Sequence, residues 1–360
     1  MIHIDRTLIV IASLIVSLGI VMVSSATMPT NVDLVIRHGV YLAVSVGCCL
    51  LVCLIPLDFW ERSHRLCWCS AILLCFLVLL PGVGIEANGA RRWISMPGFS
   101  IQPSEFSKLF LVIYVAGYLS RFRENLIGSS WILLRLMMMV GVPAFLLLLQ
   151  PDFGSVVVIG ATTTIMIFLA GARLSHLLGL TALATVLIVA LVLFEPYRLE
   201  RLVSFTDPWA VAFGSGYQLT QALIAFGRGE MIGLGLGEGI QKLFYLPEAH
   251  TDFIFAVIGE ELGFLGVFAV VLLFALLVLR IFRLSRTLIE NERFFSGYLS
   301  YGVALGIGIQ CLINFGVNTG LLPTKGLTLP FVSFGGNSLL VCFVMLGLIF
   351  RAQLEEGTDG

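Results

Sequence analysis

The stretch Tyr245–Gly263, YLPEAHTDFIFAVIGEELG, passes directly from a polar segment into an apolar helix. It carries Glu248, His250, Asp252, Glu260 and Glu261 in a chain of which only 12% of the residues are charged. Carboxylates beside hydrocarbon must be paired, hydrated or protonated, because bare charge there is strongly unfavourable. Such a helix fits a membrane-spanning protein that gathers polar chemistry at a helix mouth.

Composition leads to the same class. With 360 residues, 58% apolar, and a mean hydropathy of +1.02, the chain is too apolar for a soluble globular protein and reads as polytopic. A net charge of -1 and a pI near 6.5 argue against a nucleic-acid partner. The cysteines, Cys48, Cys49, Cys53, Cys67, Cys69, Cys75, Cys311 and Cys342, lie in or beside apolar runs, where they behave as small hydrophobes. Neither a disulfide nor a metal site is read there; the apolar surroundings of Cys67-Trp68-Cys69 disfavour thiolate. The first apolar run is of spanning length and lacks a clear cleavage pattern, so it is not a signal peptide.

Taken in order, the sequence offers about ten apolar segments of spanning length. They run from Leu8 to Ala26, Gly39 to Ile55, Leu66 to Leu80, Pro103 to Leu119, Trp131 to Leu149, Gly154 to Ala170, Leu174 to Phe194, Phe253 to Leu279, Phe295 to Phe315 and Leu329 to Phe350. The expected fold is therefore all-α and polytopic, a single membrane domain over 1–360. If the segments alternate, Arg6, Arg62, Arg65, Arg121, Arg123, Arg173, Arg280, Arg283, Arg286, Arg293 and Arg351 share one side, with Arg135 close to it. The positive-inside rule makes that side cytoplasmic and puts both termini there. The ends, including the C-terminal EEGTDG, read as disordered.

The outer side holds Arg37, Arg91, Arg92, Arg198, Arg201, Arg228, Lys242 and Lys325, mostly in two long connections. Basic residues against the orientation trend point to an anionic ligand outside. The first connection, 81–102, reads as a loop and leads into PSEFSKL, where Pro103 suits a first helical position. Glu105 and Lys108, three apart, share a helix face; they make either a structural ion pair or, buried at membrane depth, a functional one. The second connection, about 195–251, is one long extracytoplasmic loop between the seventh and eighth spans. Within it Tyr217, Leu219, Leu223, Ile224 and Phe226 recur at helical spacing and predict a short helix lying in the interface plane.

Five stretches carry a family resemblance: NGARRW (Asn88–Trp93), IQPSEFSKL (Ile101–Leu109), FGSGYQLTQALIAFGRGE (Phe213–Glu230), QKLFYLPEAHTDFIFAVIGEELGFLG (Gln241–Gly266) and NTGLLPTKGLTLPFVSFGGNS (Asn318–Ser338). In content and order they resemble the SEDS family of bacterial cell-wall synthesis, the family of the FtsW, RodA and SpoVE proteins, over nearly the whole chain. The wording of GSGYQLTQ, FGRGE and PEAHTDF is closer to the division branch than to the elongation branch. One position departs from the pattern: Phe334 stands where the family's last signature usually has a Tyr before Gly335-Gly336.

What the resemblance implies is a peptidoglycan glycosyltransferase that polymerises lipid II, the undecaprenyl-diphosphate-linked disaccharide peptide, on the outer face of the bacterial cytoplasmic membrane, at the division septum. It implies a partner transpeptidase, a class B penicillin-binding protein, and other divisome membrane proteins. The family's essential acid maps to Asp252, its motif tryptophan to Trp93, its second acid to Glu260, and its cavity ion pair to Glu105 and Lys108. The chemistry is compatible. Glycosyl transfer from a lipid diphosphate needs a base for the acceptor hydroxyl and positive charge for the departing diphosphate. Asp252 suits the base; Arg91, Arg92, Arg198, Arg201, Lys242 or Lys325 suit the diphosphate, as would a divalent cation such as Mg2+ or Mn2+ bound to acids. His250 reads as a structural or substrate-orienting residue, and the i, i+8 spacing puts Glu260 near the face of Asp252 in a supporting role. Three other readings compete: a transporter that flips lipid II, an elongation-type polymerase of the RodA kind, and a scaffold for division proteins.

Overall fold

The computed structural model describes residues 5–28, 31–87, 90–96, 99–126, 129–176, 178–179, 181–182 and 205–358. Among the described residues, nine long helices fall on nine of the ten apolar segments: α1 (Arg6–Thr27), α2 (Val32–Leu54), α4 (His64–Leu79), α5 (Pro103–Phe122), α6 (Ser130–Leu149), α7 (Phe153–Leu169), α9 (Ile254–Glu290), α10 (Phe294–Asn318) and α11 (Gly336–Thr358). The segment Leu174–Phe194, and with it Arg198 and Arg201, lies largely outside the described residues. Six of the nine helices are long and apolar enough to cross a membrane by length and composition alone. This is a multi-pass, predominantly helical membrane protein.

Two shorter α-helices among the described residues are α3 (Leu57–Arg62) and α8 (Tyr217–Gly229), the latter on the predicted stretch. Leu219, Ala222 and Ala225 of α8 are buried, while its C-terminal end meets α9 backbone to backbone. A Cβ on Gly229 would lie 1.8 Å from the Gly259 carbonyl oxygen. Only a residue without a side chain allows that approach.

Three differences from the sequence reading have physical causes. The loop at 81–102 contains a small antiparallel sheet, β1 (Gly84–Ala87), β2 (Ala90–Met96) and β3 (Phe99–Ile101), in the order β1-β2-β3. Ala87 pairs with Ala90, so only Asn88-Gly89 separates the strands, and Asn-Gly is a strong hairpin-turn pair. Next, the stretch Leu329–Gly335 precedes the last helix instead of belonging to it; it is held by Ser333, whose Oγ accepts from Leu329 N–H at 2.7 Å. Finally, the C-terminal residues 355–358 continue α11: Glu355 accepts from Arg351 Nε at 2.7 Å and from Leu57 N–H at 2.9 Å.

Helix α9 is broken within its apolar run. Gly263 has φ +66°, and a Cβ there would sit 2.3 Å from the Gly233 nitrogen. Segment 230–235 fills the gap: Leu234 and Gly235 N–H donate to the carbonyls of Glu260 and Glu261, both at 3.0 Å, while Phe264 and Leu265 N–H donate to Glu230 and Met231 at 2.9 and 3.1 Å. Backbone groups freed at membrane depth need such partners, since hydrocarbon offers none.

Candidate active site

Asp252 lies in a turn just before α9, whose first helical residue is Ile254, so the helical face relation expected between Asp252 and Glu260 does not arise. Its surroundings come instead from α10 and the connection to α11. Three consecutive carbonyls around it are each held by a donor. The Phe334 N–H donates to His250 O at 2.8 Å, Ser333 Oγ to Thr251 O at 2.6 Å, and the side-chain amides of Asn314 and Asn318 both donate to Asp252 O, at 2.9 and 3.0 Å. The half-buried carboxylate of Asp252 faces the turn that carries Lys325 and Gly326: a Cβ built on Gly326 would lie 3.0 Å from its Oδ2. The Lys325 ammonium sits 4.4 Å from the centroid of the Phe153 ring, at the start of α7, a separation at which a cation is attracted to an aromatic face.

Glu105 and Lys108 form a second polar centre. Both are buried, with Nζ 2.8 Å from Oε1 of Glu105 and 2.7 Å from Oε1 of Gln310. The cavity they line has about 30 Å³ of accessible space between α5, α7, α10 and α11, room for a water and not for a sugar. Gln310 continues outward, its Nε2 donating to Thr328 O at 2.9 Å. Gln310, Asn314 and Asn318 follow one another at a spacing of four on α10. This amide stripe joins the buried ion pair to Asp252. Sequence reasoning passed over it, although three primary amides at i, i+4 and i+8 in an apolar span are a signal in themselves.

The remaining expected residues have partners of their own. Arg91 pairs with Glu86 at 3.6 Å, half exposed. Arg92 donates to the carbonyls of Gln150 and Pro151 at 3.2 and 2.6 Å, tying the sheet to the α6–α7 connection. Trp93 is partly buried on β2, paired with Ile85 in the ladder. Glu260 and Lys242 work in the architecture. The Glu260 carboxylate accepts from Ile240 and Gln241 N–H at 3.1 Å each and lies 3.3 Å from Arg228 Nε. Lys242, with a side chain 1% exposed, pairs with Glu261 and donates to Ser25 Oγ and Gly237 O, both at 2.8 Å. A lysine engaged this way anchors the loop to α1 and α9.

His250 packs edge-on against Phe334 at 5.6 Å between ring centroids. Burial pushes its imidazole below the ordinary value, and the Glu248 charge opposes this more weakly; His250 is therefore neutral at pH 7. The Phe334 ring also meets His38 and Tyr41 of α2, at 5.9 and 6.2 Å. Since its hydrogen bond to His250 runs through the backbone, Phe in place of Tyr leaves that bond intact. Among the described residues no group of three His, Cys, Asp or Glu side chains is assembled to hold a metal ion.

A family model for cell cycle proteins of the FtsW, RodA and SpoVE type matches residues 5–357. The chain belongs to this family. Within the FtsW/RodA/SpoVE family it is 46% identical over 353 residues to a "Probable peptidoglycan glycosyltransferase FtsW" of Pseudomonas fluorescens, covering 96% of this chain and 86% of that protein. Among solved structures it resembles a chain of a peptidoglycan synthase complex described as coordinating polymerization and crosslinking, with a TM-score of 0.83 and 29% identity over 99% of both chains. It also resembles the rod shape determining protein RodA of Thermus thermophilus, with a TM-score of 0.73 and 29% identity over 97% of this chain and 96% of that one.

Proposed function

We propose that this protein is a peptidoglycan glycosyltransferase that polymerises lipid II at the outer face of the cytoplasmic membrane during septal wall synthesis, with Asp252 as general base. The observation that carries the reading is the placement of Asp252: a carboxylate on a segment fixed at three successive carbonyls, facing a lysine-bearing turn, in a chain whose relatives bear that activity in their names.

The reaction needs little more from the protein. The acceptor sugar's 4-hydroxyl gives its proton to the Asp252 carboxylate as its oxygen bonds to the anomeric carbon of the donor, and the bond from that carbon to the diphosphate oxygen breaks. The diphosphate leaves as an anion, so no strong general acid is required, and fixed positive charge lowers the barrier to its departure. Lys325, adjacent to Gly326 beside the carboxylate, is the cation best placed for this; Arg91 and Arg92 on the sheet are further candidates. Should a divalent cation take part, it would assist the same charge, and no step above depends on it. Likeness to a chain from a complex that joins polymerization to crosslinking supports a class B penicillin-binding protein as partner.

The test is polymerisation of labelled lipid II by the purified protein together with its transpeptidase, comparing wild type with Asp252→Asn and reading glycan ladders on a gel. Loss of a general base lowers turnover by about 10²- to 10⁴-fold, so ladders should disappear in the folded variant. Equal ladders from both would refute Asp252 as base. Lipid II moved across vesicles without any ladder would favour a transporter.

A further inference from the structure

We infer that Asn314, backed by Asn318, is a positioning residue that sets Asp252 at its working distance from the Lys325–Leu327 turn. The inference rests on the reading of Asp252 as general base and goes beyond it to the part that aims it.

One nitrogen of Asn314 donates two hydrogen bonds, to Asp252 O at 2.9 Å and to Leu327 O at 2.7 Å. The two N–H bonds of a primary amide diverge at a fixed angle, which holds the two carbonyl oxygens about 5 Å apart. One side chain thus gauges the gap between the acid-bearing turn and the turn that carries Lys325. Leu327 N–H closes on Lys325 O at 2.9 Å, so fixing Leu327 also fixes the backbone from which the lysine projects. Asn318 adds a second donor to Asp252 O at 3.0 Å and accepts from Ala256 N–H with its Oδ1 at 3.2 Å. It thereby couples the first turn of α9, where Phe253 provides no side-chain cap, to the same bracket. Both amides are buried. No other single side chain of this size offers two donors from one atom and an acceptor beside it.

The experiment measures lipid II polymerisation by the full chain with its transpeptidase, resolving kcat and KM for wild type, Asn314→Leu, Asn318→Leu and Asp252→Asn, with detergent thermal unfolding for each. Leucine keeps the branched arrangement of heavy atoms and removes both donors. A misplacement of about 1 Å at a reacting group lowers turnover by about 10²-fold; Asn314→Leu should therefore lose that much in kcat with KM within about 3-fold, a split that general destabilisation does not produce. Where Asn314→Leu does not fold, Asn314→Ser, which keeps one donor, should show an intermediate kcat. Wild-type kcat in folded Asn314→Leu or Asn314→Ser, or a loss confined to KM, overturns the inference. If Asp252→Asn itself stays active, the failure belongs to the general-base reading; if it is inactive while Asn314→Leu is not, only the positioning role falls.

Discussion

His250 keeps a neutral imidazole because burial disfavours its cation more than Glu248 favours it. The sign of its linkage follows. With a folded-state pKa below the ordinary 6.5, the histidine adds no penalty above that pH, and the folded state loses stability as pH falls from 6.5 through the lowered value. Unfolding midpoints in detergent measured from pH 8 down to pH 5 should therefore fall more steeply for wild type than for His250→Gln, which cannot titrate; parallel curves would rule the effect out. At this scale much of the site was legible. Asp252 stood out as an acid at a helix mouth, and the Glu105–Lys108 spacing alone foretold their contact. What sequence could not show is that the donors fixing Asp252 come from residues 314–334, because contacts across sixty and more positions have no signature in local spacing. For the same reason Lys242 looked like an outer cation, whereas the fold turns it inward onto Glu261.

In the long connection before α9, residues 228–242 become a fixed element through two adjacent glutamates. Glu260 gathers Arg228 and the N–H groups of Ile240 and Gln241, while Glu261 gathers Lys242 and Ser25. Together with the backbone pairing of segment 230–235 in the α9 break, they splice α8 and the turn after it into the membrane helices. Helical periodicity found α8 but could not find this splice, since a glycine-rich run reads as permissive backbone until its partner strand is known. Burying the Lys242–Glu261 pair is tolerable only while both charges are present: removing one partner of a buried pair typically destabilises by about 3–5 kcal/mol, whereas replacing both by apolar groups is often neutral. Lys242→Met should consequently lower thermal stability strongly, and Lys242→Met with Glu261→Leu should recover most of the loss. Additive losses in the double variant would show that the pair is not coupled.

The two ends of the helix bundle differ in what they assemble. One end gathers Glu61, Arg123, Glu292, Arg293, Arg351 and Glu355 around an open polar cavity of about 580 Å³. The opposite end carries the sheet, the Arg92 contacts to the α6–α7 connection, the bond from Asn337 Nδ2 to Ser100 O at 2.8 Å, and Asp252. Alternation of apolar segments anticipated this partition, because it depends on hydropathy and charge alone. Hydropathy was a poorer guide to where helices stop: α9 continues from the expected Leu279 to Glu290, since helical hydrogen bonds persist in water beyond the apolar run. If the arginine-rich end faces the cytoplasm, as the positive-inside rule requires, a cysteine at fully exposed Phe213 lies outside and one at exposed Glu292 lies inside. In intact cells a membrane-impermeant maleimide should label Phe213→Cys and leave Glu292→Cys at the background set by the natural cysteines. Inverted vesicles should reverse the pattern. The opposite result would put Asp252 on the cytoplasmic side and separate it from an outer-face substrate, so this labelling tests the orientation on which the proposed reaction depends.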